Sequence, residues 1–402
     1  MPTDNTRKIN HLLAPFSFLY GLGVRCRNQL FDWGLLPTEQ FPVPVLCIGN
    51  LTVGGTGKTP HTEYLIRLLQ PTYRIAVLSR GYKRKTKGFI LADEHSTSWQ
   101  IGDEPLQMKR KFPMVTVAVD ADRRNGIKRL LALPEKERPE VILLDDAFQH
   151  RYVTPSFSIL LTAYDRLFRW DKLLPVGLLR EPISGKRRAD VVIVTKCKPD
   201  LKPIEYRIIE EDMHLVAHQK VFFTEISYDE LIPVFGNHKN RMHLSDIRAN
   251  DTCVVVSGIA SPGSFYDEIR KYPGKVLSIQ FPDHHDFSLQ DVKKIKTTLD
   301  LIKSERKFLI VTEKDAARLV DNKLVPEEWK DNLFYLPIRI KFDLDKGDAI
   351  ASMTLPPYLE QIIGRNESAY LLFESASHKY RNNPDIIHMD RVIKIKIENL
   401  YK

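Results

Sequence analysis

A glycine-rich turn that ends in Gly-Lys-Thr is the stretch of this sequence with the clearest chemistry. An apolar run at residues 43–48 precedes the turn, and a helical pattern at residues 60–69 follows it. Backbone N–H groups in such a turn can cradle phosphate oxygens, while the lysine reaches the outer phosphates and the threonine hydroxyl binds Mg²⁺. The helix also turns its positive end towards the same anion. The pattern therefore predicts a site for a nucleoside triphosphate.

The predicted nucleotide-binding residues are Thr52, Gly54, Gly55, Thr56, Gly57, Lys58 and Thr59. The strict motif has glycine at position 52, where this chain has threonine, but the nearby glycines supply the freedom that the loop needs. The alternative is a glycine-rich turn between a strand and a helix that binds no ligand. Because a strand pattern and a helix pattern both flank the turn, phosphate binding is the favoured interpretation.

Two adjacent carboxylates follow another apolar run. Residues 141–144 have the pattern of a buried strand, and Asp145 and Asp146 stand at its end. In a phosphate-binding protein, an acidic residue at the tip of a buried strand holds Mg²⁺ directly or through water. Neighbouring anions also repel each other unless a cation lies between them. The predicted metal ligands are therefore Thr59, Asp145 and Asp146, with a helix cap or a turn as the alternative for the two aspartates.

Arginines follow two further predicted strands. Arg80 comes after residues 74–79, and Arg123 comes shortly after residues 114–119. Ligands of open α/β sheets bind at the carboxyl edge of the strands, so both arginines belong to that crevice. There they would balance charge on a phosphoryl group during transfer. Each arginine taken alone is more often a solvated charge, but together they predict a basic crevice.

A second acidic pair, Asp103 and Glu104, lies in a predicted turn. Phosphoryl transfer to a hydroxyl needs a group that accepts the hydroxyl proton, and an aspartate can do so, better if a histidine assists. The run Asp283-His284-His285 in the second half of the chain could supply the imidazole. A surface turn is the alternative for either motif on its own.

The segment 194–198 is similar to the guanine-binding Thr-Lys-x-Asp motif, but it has Lys198 in place of the aspartate. The missing carboxylate favours ATP over GTP. A charged pair, Arg180 and Glu181, stands in an otherwise apolar loop nearby in sequence.

Short apolar runs alternate with helical patterns along the first half of the chain. The predicted strands are 43–48, 74–79, 114–119, 141–144, 157–161 and 190–195, with helices at 60–69 and 121–133 among them. This rhythm predicts a parallel sheet with helices on both faces. It restarts after residue 226, with strands at 252–256, 276–280 and 308–312 and helices at 263–271 and 289–303. A smaller α/β unit is therefore expected there, and alternating residues 392–397 predict a half-exposed strand in the tail.

The 402 residues carry a net charge of +9, which favours an anionic partner: nucleic acid, a phosphorylated substrate or an acidic membrane surface. Four scattered cysteines without metal spacing predict reduced thiols in a cytosolic compartment. Residues 11–24 are apolar and aromatic with arginines on both sides, but the run is shorter than the ~20 residues of a spanning helix. These residues therefore allow two interpretations, a helix that lies in the membrane interface and a helix that packs on the protein's own core.

Taken together, these motifs resemble those of the tetraacyldisaccharide 4′-kinase family of lipid A biosynthesis. The resemblance extends over roughly residues 10–345 and rests on segments that occur in the family's order: 52–60, 79–82, 102–105, 120–124, 145–150, 180–182, 281–285 and 312–316. It implies a phosphate-loop NTPase sheet, a smaller second Rossmann-like domain and an N-terminal membrane-associated helix. One departure is Ala147, where the family usually has glycine.

The resemblance implies an ATP- and Mg²⁺-dependent kinase that phosphorylates the 4′-hydroxyl of a lipid disaccharide 1-phosphate, giving lipid IVA. This reaction takes place on the cytoplasmic face of the bacterial inner membrane, so residues 11–30 become the expected anchor. Neither nucleic acid nor an obligate protein partner is expected. A regulatory nucleotide switch or metallochaperone-like NTPase that phosphorylates no small molecule is the alternative.

The resemblance also implies site roles. Asp103, His284, Arg80, Arg123 and Lys58 are the expected catalytic residues, with His285 as an alternative to His284; Glu104, Glu181 and His150 are the expected substrate contacts. The expected divisions of the chain are an N-terminal membrane segment at 1–40, a kinase domain at 41–226, a smaller α/β domain at 227–355 and an extension of unknown role at 356–402.

Overall fold

The computed structural model of the protein describes residues 11–236, 240–259, 262–272, 274–283, 285, 287–320 and 322–342. The strands are β1 (Val45–Asn50), β2 (Ile75–Ser79), β3 (Ile90–Leu91), β4 (Thr116–Val119), β5 (Val141–Asp145), β6 (Phe157–Ala163), β7 (Val191–Thr195), β8 (Lys220–Tyr228), β9 (Ile232–Pro233), β10 (Thr252–Ser257), β11 (Lys275–Gln280), β12 (Lys307–Thr312), β13 (Leu333–Leu336) and β14 (Ile338–Phe342). The α-helices are α1 (Ala14–Asp32), α2 (Lys58–Leu69), α3 (Ser98–Ile101), α4 (Asp103–Lys111), α5 (Arg123–Leu131), α6 (Pro203–Met213), α7 (Gly263–Ile269), α8 (Leu289–Asp300) and α9 (Glu313–Leu319).

A large sheet has the strand order β14-β8-β7-β6-β1-β5-β2-β4-β3. The strands from β8 to β4 pair in parallel, and the edge strands β14 and β3 pair antiparallel. Every residue of β1, β5, β6 and β7 is buried, which requires cover on both faces of the sheet. Alternate residues of β1 enter two separate cores, Val45 and Cys47 on one face and Leu46 and Ile48 on the other.

A second sheet has the order β11-β10-β12-β13-β9, with β10 to β13 parallel. The chain enters this sheet from β8 and leaves it into β14, and these two strands pair from Ile338–Tyr228 to Phe342–Thr224. The two connections between the sheets therefore lie side by side.

Ion pairs link the two sheets' helices. Lys111 of α4 contacts Glu63 of α2 at 2.6 Å and Glu313 of α9 at 2.5 Å. Arg110 of α4 donates to the Ala317 carbonyl of α9 at 2.8 Å. Burial and the nearby Glu63 carboxylate raise the pKa of Glu313 to about 7. Helices α4 and α9 thus hold the two α/β units together at the end of α4.

Helix α1 docks on loops at the carboxyl edge of the large sheet. Ser17 donates to the Leu173 carbonyl at 2.9 Å, and the Tyr20 hydroxyl donates to the Arg180 carbonyl at 2.6 Å. Gly21 faces Leu173 so closely that a β-carbon there would lie 2.7 Å from a methyl group. Among the described residues, no helix is both long enough and apolar enough to cross a membrane.

The prediction of a large, mainly parallel sheet with helices and a second, smaller α/β unit is confirmed. Each predicted strand and helix of residues 43–312 is present, with ends that differ by three residues or fewer. The expected division at residue 226 falls inside β8, and β14, from the expected second unit, belongs to the first sheet. The domain limits remain predictions, and the strand predicted at 392–397 lies outside the described residues.

Candidate active site

The glycine loop, residues 51–57, joins β1 to α2. Gly57 has φ of 84°, a left-handed conformation that favours glycine, and Lys58 is the first residue of α2 directly after it. The Asn50 amide donates to the Thr56 hydroxyl at 2.7 Å, and the Thr195 hydroxyl donates to the Thr56 carbonyl at 2.9 Å. Near its start the loop pairs with the segment before Arg180, because Thr52 and Leu179 form an isolated β-bridge. These bonds hold the loop open in front of the α2 N-terminus, where N–H groups have no partner within the helix.

A buried histidine of α2, His61, supports this loop. His61 Nδ1 lies 2.7 Å from the Gly57 carbonyl, and its Nε2 lies 3.1 Å from the Thr224 hydroxyl. Because a carbonyl only accepts, Nδ1 carries the proton and Nε2 accepts from the threonine. Burial lowers the pKa of His61 to about 4, so the ring is neutral at neutral pH. The sequence reasoning missed this residue, since a histidine on a helix gives no signal of its own.

The two carboxylates after β5 have different surroundings. Asp145 is buried and accepts from the hydroxyls of Thr62 at 3.1 Å and Ser79 at 3.5 Å. Burial raises the pKa of Asp145 to about 7, and the negative charges of Glu104 and Asp146 act in the same direction. This pair of like charges lies where the glycine loop ends, as expected for a position that takes a cation.

Asp146 is instead surrounded by cations. Lys58 Nζ lies 3.6 Å from Asp146, and Arg180 Nη1 lies 3.2 Å from it. Burial alone would raise the pKa of Asp146, but the charges of Lys58 and Arg180 outweigh it and hold that pKa below its ordinary value. Asp146 also has φ of 48°, a left-handed conformation that aspartate tolerates better than most residues. The structure therefore brings Lys58, Asp145 and Asp146 together at one end of the loop.

The basic crevice contains one buried and one exposed arginine. Arg123 is buried and donates to the carbonyls of Asp120 and Ala121 at 3.3 and 3.1 Å. Burial lowers the pKa of Arg123, the positive charge of Arg80 adds to this, and the charge of Asp146 opposes it. Arg80 is exposed at the end of β2. The two arginines predicted to stabilise the transferred phosphoryl group thus lie on the same edge as the carboxylates.

His150 is half-buried and lies close to Arg123. Its Nε2 is 3.9 Å from Asp122, and burial together with the Arg123 charge lowers the pKa of His150 to about 4. Among the described residues, His150 Nε2 and Arg123 Nε belong to the few buried polar side-chain atoms without a hydrogen bond. Buried polar atoms are normally paired, so these two mark a place where a polar ligand would supply the missing partner.

Glu181 is buried among polar side chains. Arg188 Nη2 donates to both of its carboxylate oxygens, at 2.9 and 2.8 Å, and Gln149 Nε2 donates to it at 2.9 Å. Asn28 of α1 also reaches it, at 3.4 Å. These bonds give Glu181 a positioning role between α1 and the loop after β5. A direct contact between Glu181 and substrate stays a prediction.

The residue predicted as the proton acceptor, Asp103, begins α4. Gly102 precedes it with φ of 90°, and a β-carbon at Gly102 would lie 3.0 Å from the Tyr82 carbonyl, so this turn needs glycine. Arg318 of α9 donates to Asp103 Oδ2 at 2.5 Å. Glu104, the next residue, is half-buried and acts electrostatically on Asp145. Glu104 therefore lies near the carboxylates after β5, and Asp103 contacts the second α/β unit.

The same arginine reaches the turn that carries the predicted histidine. Arg318 Nη1 donates to the His285 carbonyl at 3.4 Å and lies 3.3 Å from Asp315. His285 stacks on Phe281 with ring centroids 4.7 Å apart and contacts Asp291 at 2.9 Å, so its ring is already held. His284 lies outside the described residues. Arg318 thus connects this turn to Asp103. The sequence did not predict this connection, because it joins two segments that are far apart in sequence.

Among the described residues, no three or more histidine, cysteine, aspartate or glutamate side chains cluster in a way that would hold a metal ion alone. Magnesium in nucleotide sites usually takes only one or two carboxylates, with phosphate oxygens and water completing its shell. The oxygens of Thr59, Asp145 and Asp146 are of the type that this ion prefers. Such an edge can bind a triphosphate, neutralise its charge and accept a proton from a hydroxyl in front of it.

Comparisons with known proteins agree with this geometry. The model of the family described as tetraacyldisaccharide-1-P 4′-kinase matches residues 9–354. The tetraacyldisaccharide 4′-kinase of Parabacteroides distasonis is 59% identical over 346 residues, covering 86% of this chain and 94% of the relative. That of Bacteroides thetaiotaomicron is 50% identical over 348 residues, covering 85% of this chain and 91% of the relative.

Among solved structures, LpxK from Aquifex aeolicus in complex with ATP superposes with a TM-score of 0.65 at 30% sequence identity. The match covers 88% of this chain and 98% of the Aquifex protein. The similarity therefore extends over both α/β units, and the chain belongs to the tetraacyldisaccharide-1-P 4′-kinase family.

Proposed function

We propose that this chain transfers the γ-phosphate of ATP to the 4′-hydroxyl of a tetraacyldisaccharide 1-phosphate, giving lipid IVA. The observation that carries the proposal is the glycine loop, with Lys58 3.6 Å from Asp146 at one end of it and with Asp103 at the start of α4. Family membership supplies the acceptor, because the relatives named above are tetraacyldisaccharide 4′-kinases.

In this proposal the loop residues Thr52, Gly54, Gly55, Thr56 and Gly57 bind the phosphates through the backbone. Lys58 lies at the outer phosphates, where its contact with Asp146 is exchanged for a contact with the nucleotide. Arg80 and Arg123 offset the charge that develops on the transferred group. Their common position on the carboxyl edge of β2, β4 and β5 supports this assignment.

Mg²⁺, when bound, offsets the charge of the phosphates and orients them. Thr59, Asp145 and Asp146 would hold it. Thr62 and Ser79 support this assignment, because their hydroxyls fix both oxygens of Asp145 and leave the carboxylate in one orientation. Hydrogen bonds of this kind hold a metal-binding carboxylate in the orientation that the ion needs.

Asp103 is proposed to accept the proton of the 4′-hydroxyl, with His284 beside it and Glu104, His150 and Glu181 along the substrate's path. The support is positional, since Arg318 joins Asp103 to the turn that contains His284. His150 Nε2, a buried atom without a hydrogen bond, is available to a sugar hydroxyl or a phosphate.

The outer face of α1 is proposed to lie in the cytoplasmic surface of the inner membrane. Large apolar side chains point away from the body along this helix and the residues beside it: Leu12 (84% exposed), Phe16 (63%), Leu19 (63%), Leu22 (48%), Leu30 (36%) and Trp33 (67%). A continuous apolar face of this size is unusual on a surface that meets only water. Since the opposite face of α1 contacts Arg180, the membrane would lie directly beside the site.

The anchor can be tested with vesicles of anionic phospholipid. The double variant Phe16→Ser with Leu19→Ser should lose most of its co-sedimentation with these vesicles. Leu301→Ser is the matched control, because Leu301 is 77% exposed but lies in the second α/β unit. Equal sedimentation of the double variant and the unmodified chain would exclude α1 as the anchor.

The kinase activity can be tested with γ-labelled ATP, Mg²⁺ and the lipid acceptor. Label should move to the lipid fraction on thin-layer chromatography. Label that appears only in inorganic phosphate would instead favour a nucleotide switch that phosphorylates no small molecule.

A further inference from the structure

We propose that Lys111 is a positioning residue of the active site, because its ammonium joins α4 both to the helix that follows the glycine loop and to the second α/β unit. Helix α4 begins at Asp103, so the orientation of α4 sets where that carboxylate lies. The inference rests on the proposed function in taking Asp103 as the group that accepts the hydroxyl proton.

Lys111 lies in the last turn of α4 and contacts carboxylates on two other helices. Its Nζ is 2.6 Å from Glu63 Oε2 of α2 and 2.5 Å from Glu313 Oε1 of α9. This nitrogen is buried, and within the described part of the chain it makes no well-aligned hydrogen bond, so both contacts act as ion pairs. Charges that are shielded from water attract each other more strongly than exposed ones. One cation therefore connects three helices.

Glu63 is bound on both of its carboxylate oxygens. Its side chain is 2% exposed and lies on α2, whose first residue is Lys58. Gln107 of α4 donates to Oε1 at 2.9 Å, and Arg67 contacts Oε2 at 3.3 Å beside Lys111. Removing such charges from water costs free energy, and apolar side chains of similar volume often stabilise a fold as well or better. The cluster is therefore better suited to fixing the position of α4 against α2 than to adding stability.

Helix α9 holds α4 at both of its ends. At the first residue of α4, Arg318 donates to Asp103 Oδ2 at 2.5 Å. In the last turn, Arg110 donates to the Ala317 carbonyl at 2.8 Å, next to the Lys111 ion pair. The two ends are about 12 Å apart along the helix, and a tilt of about 5° over that length displaces one end by about 1 Å. Since a misplacement of about 1 Å can lower a rate by ~10²-fold, a change at Lys111 should be felt at Asp103.

Glu313 makes this cluster sensitive to pH. It faces Glu63 and Arg67 of α2, Lys111 of α4 and Tyr335 of β13. Burial and the charge of Glu63 raise the pKa of Glu313 to about 7, while Lys111 and Arg67 act in the opposite direction. Above this pH the carboxylate is charged and holds Lys111, and below it the carboxylate takes up a proton and the ion pair weakens. The contact should therefore support turnover more strongly at about pH 8 than at about pH 6.

The first test is steady-state kinetics with ATP, Mg²⁺ and the lipid acceptor. Lys111→Met should lower kcat by roughly 10–10²-fold, with the KM for ATP nearly unchanged because the glycine loop is not altered. Lys111→Arg keeps the charge and should restore most of kcat. Lys136→Met is the matched control, since it removes a lysine charge at an exposed position and should behave as the unmodified chain. The stoichiometry of ATP binding gives the folded fraction of each variant, so that kcat refers to folded protein alone.

The second test compares Glu313→Gln with the unmodified chain at different pH values. The kcat of the unmodified chain divided by that of the variant should be largest at about pH 8 and approach one at about pH 6, because glutamine and protonated glutamic acid are both neutral. Ionisations that the two chains share cancel in this ratio.

Equal kcat values in Lys111→Met and Lys136→Met, or a ratio for Glu313→Gln that does not change with pH, would overturn the inference and leave the proposed function standing. If the unmodified chain transferred no phosphate to the lipid, the proposed function would be overturned, and this role of Lys111 with it.

Discussion

The buried His61 leads to a prediction about acid sensitivity. In the folded chain His61 is 3% exposed and its pKa is lowered by burial to about 4, from the ordinary value of 6.5. The unfolded chain therefore binds a proton more readily than the folded chain between these values. The stability that neutral His61 contributes is fully present above pH 6.5 and is lost as the pH falls towards 4. Replacing His61 by asparagine removes the imidazole that takes up this proton, and it keeps an amide N–H that can donate to the Gly57 carbonyl.

The magnitude follows from the two pKa values. Between about pH 8 and about pH 5, one histidine with this shift lowers the free energy of unfolding by roughly 2 kcal/mol. His150, whose pKa is also lowered to about 4, adds a similar amount. Over this pH range the free energy of unfolding of the unmodified chain should thus fall by about 4 kcal/mol because of these two residues. In the His61→Asn variant it should fall by about 2 kcal/mol, because only His150 remains.

The assay is urea unfolding at both pH values, followed by tryptophan fluorescence. His95→Asn is the control, because His95 is exposed and its replacement should leave the loss unchanged. If His61→Asn lost as much stability on acidification as the unmodified chain, His61 would not be a neutral support of the glycine loop.

Three further predictions concern the chemistry. Lys58→Ala should abolish turnover and leave the circular dichroism spectrum intact; near-normal turnover would remove the basis for phosphate binding. Asp145→Asn and Asp146→Asn should each cost several kcal/mol of transition-state stabilisation in Mg²⁺-dependent rate measurements. If the Mg²⁺ dependence of the rate were unchanged in both variants, the two aspartates would only cap a helix or a turn. Asp103→Ala and His284→Ala should each lower kcat by ~10²–10⁴-fold with a smaller effect on KM, and the double variant should lose less than the product; multiplicative losses would mean that the two residues act independently.

The elements that position the site were predictable because their patterns are local. The buried runs before Asp145 and before the glycine loop identify parallel strands, and parallel strands bring their following residues to one edge. The prediction of residues 141–144 as a strand therefore also placed Asp145 and Asp146 close to Lys58. The weak points were short elements such as β3 and α3, which have two and four residues and too little periodicity to be recognised.

The contacts that hold the site together were not predictable in the same way. Arg318 reaches Asp103 across 215 positions of the sequence, and Arg188 bonds Glu181 from the end of a short 3₁₀ helix, Ile183–Arg188. An arginine in such a position looks like any surface charge until the partner is known. His61 is similar, because its bond to Thr224 depends on β8 lying behind α2. These residues depend on tertiary packing, which a single sequence does not reveal.

The central claim is that this chain phosphorylates a lipid at one hydroxyl. The most direct measurement is the mass of the tetraacyldisaccharide 1-phosphate after incubation with the protein, ATP and Mg²⁺, followed by fragmentation of the product. The account predicts a gain of one phosphate, located on the 4′ position of the distal sugar, and no gain with Lys58→Ala. ATP consumption at the same rate with and without the lipid, with no change in the lipid's mass, would contradict it.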